Sequence, residues 1–199
     1  MKRNIIATIF LSVLLTTSAS FAAFTPLSVN IVPPVQFPPQ DFSVTGLRAS
    51  LLYGHQRDMY GFDFGVLGNI TDQDFVGVAV SGIFNATYGT TRVIGLQLAG
   101  FGNYNQQKTS VVGVQAALAM NYNVAESSIY GLQLAMANIN PAASIYGLQL
   151  GVYNRARVVY GIQLGLVNIA DNLHGIQIGL ANFNNSGPFK ISPILNVGF

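Results

Sequence analysis

Cysteine is missing from this chain, and charge is nearly so: only 8% of its 199 residues are Asp, Glu, Lys or Arg. Without cysteine there is no disulfide framework, no thiol nucleophile and no thiolate metal site. Stability has to come from hydrogen-bonded sheet and burial. Ordinary soluble domains carry roughly 25% charged residues, whereas here half the residues are hydrophobic and the mean hydropathy is +0.43. Contact with lipid would account for that shortage. The formal net charge of +2 comes from the first residues: Lys2 and Arg3 belong to a leader, and the other seven of the nine cations face seven acids. A nucleic-acid surface needs clustered Lys and Arg, and no such cluster occurs, so nucleic acid is not an expected partner. Long apolar runs are also lacking. Beyond the leader no stretch approaches the ~18 uninterrupted apolar residues of a spanning helix.

The leader has an apolar segment from Ile5 to Leu15 and a Ser20-Phe21-Ala22 cleavage pattern. It reads as a Sec signal peptide over residues 1–22, with no cysteine after it for lipoprotein anchoring. Residues 23–42 are proline-rich (Pro26, Pro33, Pro34, Pro38, Pro39) and read as an extended tail or strap that joins a ladder poorly. Residues 43–199 form the repeat domain.

Catalytic parts are hard to find. His55 and His174 are the only histidines. His174 falls in a column otherwise filled by tyrosines, and His55 lies in a Gly-His-Gln-Arg-Asp segment that reads as a solvated hairpin tip. Neither has the further nitrogen or thiolate that zinc needs. Asp72 and Asp74 flank Gln73 and offer two carboxylates, where calcium loops supply six to eight oxygens. Gly61-Phe62-Asp63-Phe64-Gly65 lies within a strand pattern and does not precede a helix, so it is no nucleotide loop. No catalytic residue, cofactor or metal site is expected, and the chain does not read as an enzyme.

What is present is one phrase repeated. A glycine followed by apolar-polar-apolar recurs at Gly46, Gly61, Gly77, Gly95, Gly113, Gly131, Gly147, Gly161 and Gly175, at steps of 15, 16, 18, 18, 18, 16, 14 and 14 residues. A fixed period of this kind marks an array of one small unit. Around Gly131 the residues alternate. Tyr130, Leu132, Leu134, Met136 and Asn138 fall on one side, and Ile129, Gly131, Gln133, Ala135 and Ala137 on the other, which is strand periodicity. The second position after each glycine is polar in eight of nine repeats, with Arg48, Asp63, Gln97, Gln115, Gln133, Gln149, Gln163 and Gln177 there and Ala79 the exception. It predicts one greasy face per strand and one small, wet face. On that reading Leu164→Arg is damaging and Gln163→Glu mild. Arg48 and Asp63, of opposite charge in adjacent repeats, are expected to pair on the wet face. The remaining charges fall mostly in the breaks between strands.

Two architectures satisfy this pattern. The preferred one is an all-β antiparallel meander closed into an outer-membrane β-barrel of about ten strands, each about eleven residues long and tilted to span roughly 27 Å. Tyr60, Tyr130, Tyr146 and Tyr160 would form aromatic rims, and Leu195, Val197 and Phe199 would be a C-terminal signal for the barrel-assembly machinery. The lumen would make a narrow pore or a closed plug. The alternative is a parallel β-solenoid with leucines inside and a Gln ladder outside, serving as a surface binding or adhesion module.

Taken together, Val29–Pro39 (VNIVPPVQFPP), Gly46-Leu47-Arg48, Tyr53–Gly65 (YGHQRDMYGFDFG), the Gly-x-Gln repeats and Pro193–Phe199 (PILNVGF) resemble the bacterial surface-repeat proteins known from Leptospira and other Gram-negative lineages. The resemblance covers essentially all of the chain after the leader. It implies an envelope location and no enzymatic activity; the location expected is the outer membrane or cell surface, with outer-membrane lipid as a partner on the barrel reading. It does not indicate an extracellular ligand.

Overall fold

In a computed structural model, residues 23–199 are described; the predicted leader, 1–22, lies outside them. Each repeat contains two strands, not one. The repeat around Gly113 runs as a long strand Thr109–Ala117, a bend at Leu118 and Ala119, a short strand Met120–Asn123, and a polar turn into the next long strand, Ser128–Leu134. Long strands stack on long strands and short on short, all parallel and in register: Gly113 faces Gly131, Gln115 faces Gln133, and Asn121 faces Asn138. The protein is therefore a flattened parallel β-solenoid. Nine repeat coils are built from the strands between Ser43–Ser50 and Val167–Asn184, and in the last of them the chain stays extended through the turn, so that Ala137–Leu150, Tyr153–Leu164 and Val167–Asn184 each serve successive coils.

The barrel, and the pore that went with it, are overturned by this pairing. The sequence reads as one eleven-residue strand because the bend carries little turn chemistry: pairs such as Leu118-Ala119 and Ala135-Met136 continue the apolar pattern, and elsewhere a lone glycine (Gly82, Gly100, Gly151, Gly165) is the one signal. The bend leaves a seven- to nine-residue strand and a four-residue strand in the early coils, and the short strand is the return that closes each coil. The interior is filled by side chains, so there is no lumen.

Parallel stacking brings the repeat glycines directly over one another. From Gly61 to Gly175 they have φ between +122° and +150°, a region that L side chains rarely adopt. A Cβ on Gly161 would also sit 2.0 Å from the carbonyl oxygen of Gly147.

Both ends are capped. The proline-rich segment does join the ladder: Phe24–Val32 pairs parallel with Ser43–Ser50, and Val35–Phe37 folds back antiparallel on it. Its prolines sit where no ladder bond is lost, with Pro26 at a register shift and Pro33 and Pro34 in the turn. At the other end Ile191–Gly198 runs antiparallel to the last coil. Reversed direction and Pro193 both oppose the addition of a further parallel coil.

Candidate functional site

The glutamine column faces inward and the leucines outward, as the barrel reading had them and the reverse of the expectation for a solenoid. Two residues before each repeat glycine lies a buried apolar side chain, from Val44, Met59 and Phe75 to Ile145, Val159 and Leu173. Two residues after it lies the polar column, and it too is buried: Gln115, Gln133, Gln149, Gln163 and Gln177 are all 0% exposed. The supposed wet face is the dry interior, and the leucines face out.

The glutamines can be buried because they satisfy one another. Coils repeat at the ~4.8 Å strand spacing, so stacked amides lie within reach. Nε2 of Gln115, Gln133, Gln149, Gln163 and Gln177 donates to Oε1 of the glutamine one coil earlier at 2.6–2.9 Å. A second ladder, absent from the sequence reading, crosses the interior from the short strands. Asn69, Asn85, Asn103, Asn121, Asn138, Asn154 and Asn168 each donate Nδ2 to the Oδ1 of the asparagine one coil later, ending at Asn182, at 2.8–3.1 Å. From Asn69 onward the same Nδ2 also donates to a main-chain carbonyl of the next long strand, such as Val80 O from Asn69, Leu150 O from Asn138 and Leu164 O from Asn154, which pins the bend. The signal was in the spacing: an asparagine follows the glutamine-column residue by five or six positions in every repeat from Asp63 onward.

In the first coils the column holds charge. Arg48 and Asp63 face each other across the ladder and pair, as expected, but with 0% and 1% exposure. Nε of Arg48 donates to Asp63 Oδ1 at 2.7 Å, and the second Asp63 oxygen accepts from a terminal guanidinium nitrogen. Gln56 Oε1, the Ile70 carbonyl and Thr71 Oγ1 accept the rest at 3.0, 2.8 and 3.2 Å. All five guanidinium donors are used. Burial pushes the Asp63 carboxyl above its ordinary range, and Arg48 pulls it back only in part. Ala79 separates this cluster from the amide ladder that starts at Gln97.

The exterior divides by edge. One edge, at the turn after each short strand, carries nearly all the charge, and much of it is paired: Arg57 with Asp58, His55 with Asp72, Arg92 with Asp74, Arg155 with Asp171. Arg92 holds the Asp74 carboxyl below its usual range through their hydrogen bond. Asp72 and Asp74 thus serve different partners, and His55 sits in the short strand Tyr53–Gln56, not at a hairpin tip. The opposite edge has one large apolar residue per coil at the bend, Phe101, Leu118, Met136, Val152, Leu166 and Leu180 among them, all exposed.

The aromatic residues form columns, not rims. Identical positions stack in a parallel array, so Tyr130, Tyr146, Tyr160 and His174 lie face to face with centroids 4.6–5.0 Å apart. Tyr60 belongs to the same column but is separated from Tyr130 by Val76, Ile94 and Val112. On the short-strand face Tyr88, Tyr104 and Tyr122 form a second column at 5.8–6.5 Å. Leu195, Val197 and Phe199 point outward from the C-terminal cap.

With amide ladders beside an apolar column inside, large apolar residues outside and charge along one edge, this is a parallel β-solenoid with an unusually polar interior. Comparison with protein-family models, with curated proteins and with solved structures gives no match.

Proposed function

We propose that the chain is an exported envelope or cell-surface protein whose solenoid serves as a non-catalytic binding or structural module, acting through its apolar exterior. One observation carries this reading. Large apolar side chains line the outside of every coil while amides share the inside with an apolar column, and contiguous exposed apolar surface of that extent marks an interaction site. The leader pattern supports export, and the resemblance of its motifs to surface-repeat proteins supports the location. The interior amides are committed to their ladders and most edge charges to one another, which leaves few groups free to act as acid, base or nucleophile.

Cell fractionation tests the reading. The chain is expected in the envelope fraction, with gel mobility that does not depend on boiling and with the charged edge open to labelling on intact cells. Recovery from the cytoplasm with the leader still attached would overturn it.

A further inference from the structure

The apolar exterior has a definite shape. It covers the outer columns of the long strand, typified by Leu132 and Leu134, turns the bend at Met136, and continues onto the short-strand face at Ala137 and Ile139. It wraps both sides of the bend, so that a partner lying against one face would leave the other uncovered. Tyrosine columns bound it on one face at a time: Tyr104 and Tyr122 on the short-strand face of the middle coils, and Tyr130, Tyr146 and Tyr160 on the long-strand face of the coils that follow. Beyond them lies the charged edge. From Leu132 to Met136 is four residues, ~13 Å at strand rise, close to the ~15 Å depth of one leaflet's hydrocarbon, half the ~30 Å core. Tyrosine belts are typical of the membrane–water boundary.

Main-chain chemistry permits the same placement. At the bends the peptide N–H groups donate along the solenoid axis to the neighbouring coil, as from Met136 to Leu118 O, Leu166 to Val152 O and Ala181 to Leu166 O at 3.0–3.3 Å. This edge therefore presents few open backbone groups to a medium that could not hydrogen-bond them.

We propose that the apolar edge inserts into one leaflet of a lipid bilayer, with the solenoid axis in the membrane plane, the tyrosine columns at headgroup level and the charged edge in water. This rests on the reading of the chain as an envelope surface module and names what its exterior meets.

The test uses the chain expressed from its full sequence, purified in detergent and mixed with neutral phosphatidylcholine vesicles. It should float with the vesicles. The triple variant Leu118→Asp, Leu166→Asp, Leu180→Asp should lose more than tenfold of the bound fraction while keeping its far-ultraviolet β spectrum, and unchanged flotation would overturn the proposal. Because the chain has no tryptophan, single reporters give an independent measure should the triple variant fail to fold. Met136→Trp should be quenched most by lipids brominated deep in the acyl chain, Tyr130→Trp by shallow bromines, and Glu126→Trp by neither. Equal quenching at the three levels would overturn the proposal. So would a chain that ignores vesicles and forms a dimer in water through this edge, although it could still be found in the envelope, where the broader reading would survive.

Discussion

Gln163 is wholly buried, yet Ile162 and Leu164 on either side of it are 40% and 44% exposed. Hydropathy alone assigns these neighbours the other way round. The difference lies in what each column gains by stacking. A column of leucines gains contact on either side of the sheet. A column of glutamines inside the coil gains a hydrogen bond per coil and loses little to water, because every member between Gln97 and Gln177 has its donor and acceptor met by neighbours. Fully satisfied networks of this kind are stable in a low-dielectric interior, and partly satisfied ones are costly. The terminal atoms show the limit: Gln177 Oε1 and Asn69 Oδ1, at the ends of their ladders, are buried without a partner.

The largest expected effect breaks the interior where it carries charge. Arg48→Gln leaves Asp63 buried and unpaired and should cost about 3–5 kcal/mol of unfolding free energy. Asp63→Gln should cost a similar amount. The double variant puts in both places the residue that later coils use, and should recover most of the loss. Urea unfolding of the four proteins measures the coupling, and additive costs would mean that the buried pair is not what holds these coils together.

Next is a charge placed in the ladder. Gln163→Glu removes the donor to Gln149 Oε1, 2.6 Å away, and sets a carboxylate against that oxygen. Leaving a buried group unsatisfied costs about 1–3 kcal/mol, and more when it is charged. The sequence-based expectation that this change is mild is thus reversed. Burial raises a carboxyl's folded-state pKa above its unfolded one, so the penalty should grow as pH rises from about 4 and shrink in acid. A pH-independent loss would place Gln163 in contact with solvent.

Gly161→Ala tests the stacking that brings the columns together. It forces a Cβ against the Gly147 carbonyl and an L residue into φ +146°. Strain of that kind costs about 1–3 kcal/mol, readable as a lower urea midpoint with an unchanged slope.

The repeat, its period, its strand character and the Arg48–Asp63 pairing were all legible in the sequence, because each depends on residues compared between repeats. Inside and outside were not legible, because alternation is symmetric: it separates two faces without saying which is buried. The bend was hidden because Ala135-Met136 looks like more strand. The asparagines looked like turn residues, since only the closed coil shows that Asn138 and Gln133 point into the same interior.

The smallest expected effect lies outside, and it separates the solenoid from the barrel most directly. In a barrel wall Leu164→Arg would put a guanidinium at mid-membrane and cost about 2–4 kcal/mol. Here Leu164 is 44% exposed on the outer side of its strand, and its carbonyl, which accepts from Asn154 Nδ2 and the Gly151 N–H, is untouched by the change. Surface substitutions away from special features typically alter stability by less than about 0.5 kcal/mol. In detergent-free buffer Leu164→Arg should therefore unfold at nearly the wild-type urea midpoint, while Gln163→Glu next to it does not. If instead the arginine variant loses more than its neighbour, the leucine column is packed against something, and a tightly held second copy of the chain would be the first occupant to look for by light scattering.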